Sequence, residues 1–143
     1  MYFLKVRLGK QSLRGRPKRG IFSLLEYKGP FYMPEGDRWV PEADLYETEA
    51  FYVIKVDVAG VKKSHLDLTL HGDTLKVSGQ RSLEEMEEGV LRYHRLEMGQ
   101  GPFERSFQLP QDADLNSIEA VLSDGILTIK IRKRGLEGID VGS

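Results

Sequence analysis

The sequence predicts an all-β protein of the β-sandwich class, with a flexible N-terminal arm before the sandwich and a short tail after it. Two predicted hairpins, residues 65–80 and 117–132, indicate the sandwich. In each of them two runs of alternating apolar and polar residues flank a two-residue turn of Gly and Asp. Gly and Pro interrupt residues 1–37 too often for a long helix, which predicts the arm. The expected organisation is an arm at 1–37, a sandwich domain at 38–132 and a tail at 133–143.

Composition favours one domain and excludes several kinds of chemistry. The 143 residues are 40% hydrophobic, which is enough for a core, and their formal net charge is -1. The absence of cysteine excludes disulfides, thiolate catalysis and cysteine-ligated zinc, and it favours a reducing, cytoplasmic location. No apolar run approaches the roughly 20 residues of a membrane-spanning helix, so no membrane span is predicted.

The arm is basic, whereas the rest of the chain is acidic. Residues 1–37 contain eight Lys or Arg against three Asp or Glu, and the remaining residues contain 13 against 19. Such an arm suits nucleic acid, an acidic membrane surface, a transit peptide or acidic partner proteins. Its apolar residues are too numerous for a solvated tail and too interrupted for a core, so we expect them to find burial on other chains.

The sandwich domain begins with two predicted strands. Residues 39–46 predict a short strand with Pro41 inside it, which places the strand at an edge or bend because proline has no backbone N–H to donate. Residues 50–58 predict a second strand with every other residue facing the core, namely Tyr52, Ile54, Val56 and Val58.

Two regions follow before the last hairpin. In the hairpin of residues 65–80, with its turn at residues 72–73, Leu70 faces Leu75 on an aliphatic face and the opposite face is polar. Residues 81–101 are too long for a tight turn, and we predict a short projecting strand at residues 91–96. A strand at residues 103–109 places Arg105 beside two aromatic residues, where it either passes along the rings to water or pairs across an interface.

The hairpin of residues 117–132 has the best-defined register. With Asp124-Gly125 as a type I′ turn, Leu122 faces Leu127, and every further pair on that side is also apolar. A slip of one residue would destroy this pattern, since side chains alternate between the two faces of a strand. The apolar face must therefore be covered by another sheet.

No group of residues supports catalysis. His65, His71 and His94 stand singly on predicted strands, without the cysteines or carboxylate cluster that would complete a metal site. We predict that the protein is not an enzyme and that it uses no cofactor, no metal and no small-molecule substrate.

Four segments in sequence order resemble the small heat shock protein family, whose shared unit is the α-crystallin domain. Residues 39–48 (WVPEADLYET) and 52–61 (YVIKVDVAGV) resemble its first two strands, and residues 103–110 (FERSFQLP) resemble the segment with the family's arginine. Residues 120–127 (AVLSDGIL) resemble its Ala-x-x-x-(Asn/Asp)-Gly-(Val/Ile)-Leu signature, and Ile139-Asp140-Val141 is similar to its tail motif. The resemblance implies an immunoglobulin-like sandwich.

The resemblance also implies two contacts between subunits. The tail motif, Ile139 and Val141, would dock in a groove of a neighbouring subunit that is formed by Leu66, Leu68, Leu70, Ile118, Ala120 and Leu122. Residues 91–96 would be exchanged with a partner to form a dimer, with an interface that includes Leu91, Tyr93, Arg95 and Arg105.

The function implied by the resemblance is that of an ATP-independent chaperone, a holdase that works as a homo-oligomer of dimers and binds partly unfolded client proteins. The residues predicted to contact clients are the apolar side chains of the arm: Phe3, Leu4, Phe22, Leu24, Leu25, Phe31 and Tyr32. Two alternatives stay open. The arm could bind nucleic acid, although aromatic residues are sparse among its basic ones, or the chain could be a monomeric co-chaperone or adaptor of the p23 type, which would have no use for the tail motif.

Overall fold

The computed structural model of the chain describes residues 1–9, 39–82 and 88–136. Within these residues nine strands form two sheets that pack face to face. The strands are β1 Tyr2–Leu4, β2 Arg7–Leu8, β3 Ala43–Glu47, β4 Phe51–Asp57, β5 Leu66–His71, β6 Thr74–Arg81, β7 Gly101–Gln108, β8 Glu119–Ser123 and β9 Ile126–Arg132. A 3-10 turn at Lys63–His65 leads into β5, and another 3-10 turn at Arg134–Leu136 follows β9. The prediction of an all-β sandwich is confirmed.

The two predicted hairpins form opposite halves of the core. The larger sheet has the strand order β1-β8-β9-β4-β3, and the smaller sheet has the order β2-β5-β6-β7. Hairpin β5–β6 therefore lies in one sheet and hairpin β8–β9 in the other, so that their aliphatic faces meet. The largest fully buried side chains come from both sheets and include Ile54, Leu68, Leu75, Phe107, Leu127 and Ile129.

The register of both hairpins is the predicted one. Leu122 pairs with Leu127 across β8 and β9, and the pairing of β5 with β6 also follows the sequence pattern. The turn between β8 and β9 has φ 52 at Asp124 and φ 81 at Gly125, as a type I′ turn requires. The backbone angle favours glycine at position 125, and the packing adds to this preference because a Cβ there would approach the Cα of Ala59 to 3.1 Å.

Strand β4 lies inside the larger sheet, where it pairs with β3 on one side and β9 on the other. Its predicted core residues Tyr52, Ile54 and Val56 are buried, and so is the predicted core residue Val58, which directly follows the strand. Strand β3 is an edge strand as expected, but it begins at Ala43, and the prediction of Pro41 inside the strand is wrong. Pro41 precedes the strand because a residue without an N–H cannot extend the ladder.

The beginning of the arm differs from the prediction. β1 pairs antiparallel with β8, and β2 pairs parallel with β5, so residues 2–8 add one short strand to each sheet of their own chain. We predicted that the arm finds its burial on other chains and that the sandwich begins at residue 38. Strands of three and two residues are too short to show a periodic pattern, which is why the sequence did not indicate them.

Residues 90–100 form no strand, which corrects the prediction of a strand at residues 91–96 for the isolated chain. A strand needs a neighbour to receive its backbone hydrogen bonds, and the described residues of this chain provide none beside that segment. The sequence pattern of a strand is therefore present without the partner that would complete it.

Tyr52 connects the core to the loop after β7. Its hydroxyl donates a hydrogen bond to Asp112 Oδ1 at 2.6 Å. Burial, followed by this hydrogen bond, raises the pKa of Tyr52 well above its ordinary value of 10.0. Replacement Tyr52→Phe is expected to lower the free energy of unfolding by about 1 kcal/mol near neutral pH.

The contribution of Tyr52 is also expected to depend on pH. The raised pKa in the folded state means that the unfolded chain releases the phenolic proton first, so the stabilisation is complete below about pH 10 and declines above it. The difference between the parent and Tyr52→Phe should therefore shrink as pH rises above about 10, as measured by urea unfolding. The matched control is Tyr46→Phe at an exposed position on β3, with an expected change below about 0.5 kcal/mol. Equal stability of the parent and Tyr52→Phe at neutral pH would contradict this prediction.

Candidate binding surfaces

The structure brings all six predicted groove residues together on one side of the sandwich. Strands β5 and β8 each lie next to the edge of a sheet and are flanked there only by the short strands β2 and β1. Five of the residues are buried and Ile118 packs against the same core cluster, the full set being Leu66, Leu68, Leu70, Ile118, Ala120 and Leu122. Adjacent edges of two sheets with aliphatic residues between them suit an extended peptide.

Residues 2–9 of the same chain cross this groove. Leu4 pairs with Ala120 on β8, Leu8 pairs with Leu70 on β5, and the Gly9 N–H donates to the Leu70 carbonyl at 2.7 Å. Leu4 and Val6 are partly buried against the core. The N-terminal segment therefore contacts the edges of both sheets.

The end of the crossing segment is closely packed. A Cβ on Gly9 would overlap the imidazole of His71, so a larger residue there would displace that ring. His71 is accordingly only partly exposed. Next to it, Arg7 Nη2 lies 3.2 Å from Asp67 Oδ1 in an exposed ion pair.

Residues 90–98 are here called the projecting segment. A cluster of Trp39, Arg81 and Phe103 holds its base on the other side of the sandwich. The Arg81 guanidinium lies 4.0 Å from the centroid of the Trp39 ring, and that ring meets Phe103 edge to face at 5.0 Å. Arg81 Nε also donates to the Gly99 carbonyl at 2.9 Å. The sequence indicated none of these contacts, since they join residues from three separate parts of the chain.

The projecting segment exposes large apolar side chains. Leu91 is 92% exposed, Leu96 71% and Met98 69%. Tyr93 is exposed as well, and Arg95 forms an exposed ion pair with Glu97 at 3.1 Å. Of the predicted interface residues, Leu91, Tyr93 and Arg95 thus lie together at the surface.

Arg105 is placed differently from those three residues. Its side chain is partly buried on β7, with the guanidinium 5.1 Å from the centroid of the Phe107 ring. Its Nη1 donates to the Pro41 carbonyl at 3.0 Å. In the single chain Arg105 therefore lies along an aromatic ring and ties β7 to the residues before β3. Its predicted place in the dimer interface stays a prediction.

Several predicted residues lie outside the described part of the chain. Phe3 is 70% exposed and Leu4 is partly buried, but the other predicted client contacts are not described: Phe22, Leu24, Leu25, Phe31 and Tyr32. The same holds for the tail residues Ile139 and Val141.

Among residues 1–9, 39–82 and 88–136, no group of three His, Asp or Glu side chains could hold a metal ion. No helix in those ranges is long and apolar enough to span a membrane.

Comparison with protein families and curated proteins identifies relatives for the sandwich. The model of the Hsp20/alpha crystallin family matches residues 44–139. Spore protein SP21 of Stigmatella aurantiaca is 38% identical over 96 residues, which are 67% of this chain and 56% of that protein. The 16.9 kDa class I heat shock protein 1 of Triticum aestivum is 40% identical over 91 residues, 63% of this chain and 60% of that protein. The match thus spans little more than half the length of these curated relatives.

Solved structures show the same relationship in three dimensions. The hspA structure from Xanthomonas axonopodis superposes with a TM-score of 0.60 at 34% identity, covering 67% of this chain and 95% of that one. A small heat-shock protein from Xylella fastidiosa superposes with a TM-score of 0.61 at 32% identity, covering 67% of this chain and 87% of that one. Since the family model matches more than half of the chain, the protein belongs to the Hsp20/alpha crystallin family, the family of the small heat shock proteins.

Proposed function

We propose that the protein is an ATP-independent holdase, which binds partly unfolded proteins and keeps them from aggregating. The observation that carries this proposal is the exposure of large apolar side chains outside a fully packed core. Phe3, Leu91, Leu96 and Met98 are each at least 69% exposed. Apolar exposure on a folded domain marks an interaction surface. Phe3 belongs to the arm, where we place the client contacts, and Leu91, Leu96 and Met98 share one short segment that we assign to contacts between subunits.

The proposed building block is a dimer formed by exchange of residues 91–96. The segment has a strand pattern without a partner strand, and β3 is an edge strand with backbone groups available for pairing. Addition of the segment to β3 of a partner would give the segment a partner strand, pair the backbone groups of the β3 edge, and cover Leu91 and Tyr93. Membership of the small heat shock protein family supports this arrangement.

The proposed larger assembly is held by the tail. Ile139 and Val141 would enter the groove of a neighbouring subunit, where five of the six groove residues belong to the buried core and Ile118 packs against it. Each aliphatic side chain that becomes fully buried contributes about 1.5–3 kcal/mol, so two of them per tail suffice for a reversible contact.

The proposed mechanism follows from the hydrophobic effect alone. Apolar surface of the arm is covered within the oligomer and becomes available when subunits exchange. A client that exposes its own apolar residues then gains free energy by burying them against this surface, without nucleotide hydrolysis. Release occurs when the client's core offers better burial than the chaperone.

The proposal predicts that the full chain suppresses aggregation of a heated client. An equimolar mixture with citrate synthase, heated without ATP, should scatter much less light than citrate synthase alone, whereas lysozyme at the same concentration should have no effect. Equal scattering with and without the chain would refute the holdase proposal.

The contribution of the arm can be measured in the same assay. Serine replacement of six arm residues should weaken suppression several-fold, since the apolar surface offered to the client is lost. These residues are Phe3, Phe22, Leu24, Leu25, Phe31 and Tyr32. The matched control is Ile126→Ser, which changes an exposed aliphatic residue at the start of β9, outside the proposed client and subunit contacts, and should leave suppression unchanged. Full suppression by the six-residue variant would exclude the arm as the client surface.

A further inference from the structure

The groove assigned to the tail is occupied in this chain by its own residues 2–9. β1 supplies three residue pairs to β8, and β2 supplies two pairs to β5. Leu4 at the end of β1 and Val6 between the two ladders pack against the core to which the groove residues belong. A tail that approached the groove would therefore meet a strand already in place at each edge.

The occupying segment has the same pattern as the tail. Leu4-Lys5-Val6 and Ile139-Asp140-Val141 each consist of two aliphatic residues that flank one charged residue. In an extended chain the two aliphatic side chains project to the same side. Lys5 is exposed while its two neighbours are partly buried, as this alternation requires. Because each sheet edge accepts one strand, the two segments cannot occupy the groove together.

The contacts of residues 2–9 are weak enough to be reversible. The ion pair between Arg7 and Asp67 is exposed, with 60% and 57% of the two side chains accessible, and such pairs contribute at most about 1 kcal/mol. Leu8 is 80% exposed. Leu4 and Val6 are only partly buried, so each contributes less than the roughly 1.5–3 kcal/mol of a fully buried aliphatic residue.

We propose that residues 2–9 are an internal ligand of the tail groove, and that the tail of a second copy binds only after this segment has left β5 and β8. This inference rests on the tail docking proposed above. The apparent affinity for the tail equals the affinity of the open groove multiplied by the fraction of chains in which the groove is open. Tail binding in turn releases residues 2–9 from β5 and β8, so docking of the tail and the position of the arm are coupled.

A disulfide that holds the segment in place tests the proposal. Phe3 and Val121 are paired residues of β1 and β8, and the chain has no cysteine, so Phe3→Cys/Val121→Cys creates one defined bond. Ile139→Ala/Val141→Ala in the same full chain prevents competition from its own tails. The probe is a fluorescent synthetic peptide of residues 136–143, and its affinity is measured by fluorescence polarisation.

The reduced protein is expected to bind the peptide at least about tenfold more tightly than the oxidised protein. Equal affinities would overturn the proposal. A non-reducing gel provides a second decisive result, because a disulfide that joins two chains would show that the segment belongs to a neighbour's groove and would also overturn it.

Two further variants distinguish occupancy of the groove from general damage. Leu4→Ser/Val6→Ser should increase peptide affinity, since it removes the side chains that pack on the core, whereas Phe3→Ser/Lys5→Ser changes exposed positions and should leave it unchanged. Failure of Leu4→Ser/Val6→Ser to bind the peptide would show that the groove is not the tail site and refute the proposal. Suppression of client aggregation by the same proteins is a separate measurement, so holdase activity without peptide binding would refute only the groove inference.

Discussion

In the background Ile139→Ala/Val141→Ala, which removes the proposed tail contact, the double variant Leu91→Ser/Tyr93→Ser is expected to be a monomer of about 16.3 kDa at concentrations where we propose that the background chain, the parent in this comparison, is a dimer. Both side chains are exposed in the isolated chain and lie on the face of the segment that we propose to cover β3 of the partner. A two-fold dimer contains each substitution twice. If each of the four truncations costs about 1 kcal/mol at the interface, the dimer dissociation constant rises about a thousandfold.

Sedimentation equilibrium over a range of concentrations measures this shift. The matched control is Arg92→Ser/His94→Ser, which changes the alternate positions of the same segment and should preserve the dimer. Thermal unfolding of Leu91→Ser/Tyr93→Ser should be that of a folded sandwich, because neither residue belongs to the core. A dissociation constant equal to that of the parent would show that the dimer uses another surface.

Phe107→Ala is expected to cause a large loss of fold stability. Phe107 is fully buried on β7 between the two sheets, and its ring also lies against the Arg105 guanidinium. Truncation of a buried phenylalanine to alanine typically costs about 3–5 kcal/mol, because it removes burial and leaves a cavity. A domain of this size has a total stability of about 5–15 kcal/mol, so the variant should unfold at a much lower denaturant concentration.

Phe3→Ala provides the control with the same chemical change. Phe3 is 70% exposed on a three-residue strand, so its truncation should change the free energy of unfolding by less than about 0.5 kcal/mol. Urea unfolding of both variants can be followed by the fluorescence of Trp39, which packs against Phe103 near the start of β7. A Phe107→Ala variant within about 1 kcal/mol of the parent would contradict the assignment of Phe107 to the core.

Local sequence patterns were sufficient to predict the two hairpins at the centre of the fold. The alternation around Asp124-Gly125 predicted both the turn and the partner of Leu122, and the same reasoning predicted the pairing of β5 with β6. These features can be predicted because strand periodicity and turn chemistry are encoded within a few residues of one another. The opposed arrangement of the two hairpins followed from the need to bury both aliphatic faces.

The candidate surfaces were predictable in part. The spacing of Ile139 and Val141 indicated a docking motif, and the resemblance to the small heat shock proteins indicated the six groove residues that the structure gathers into one cluster. The identical spacing in Leu4-Lys5-Val6 is a signal that could have identified a second ligand for that groove. It has little meaning by itself, since two aliphatic residues flanking a third occur often by chance.

The sequence by itself determined the sandwich, its two registered hairpins and the family of the chain, because each depends on neighbouring residues or on short linear motifs. Only the tertiary structure decided that residues 2–8 pair with β8 and β5, because strands this short are stabilised by edges that other parts of the chain provide. Only the tertiary structure likewise showed that residues 91–96 have no strand partner within the described chain. Whether a segment with a strand pattern becomes a strand depends on the backbone groups that its surroundings offer for pairing.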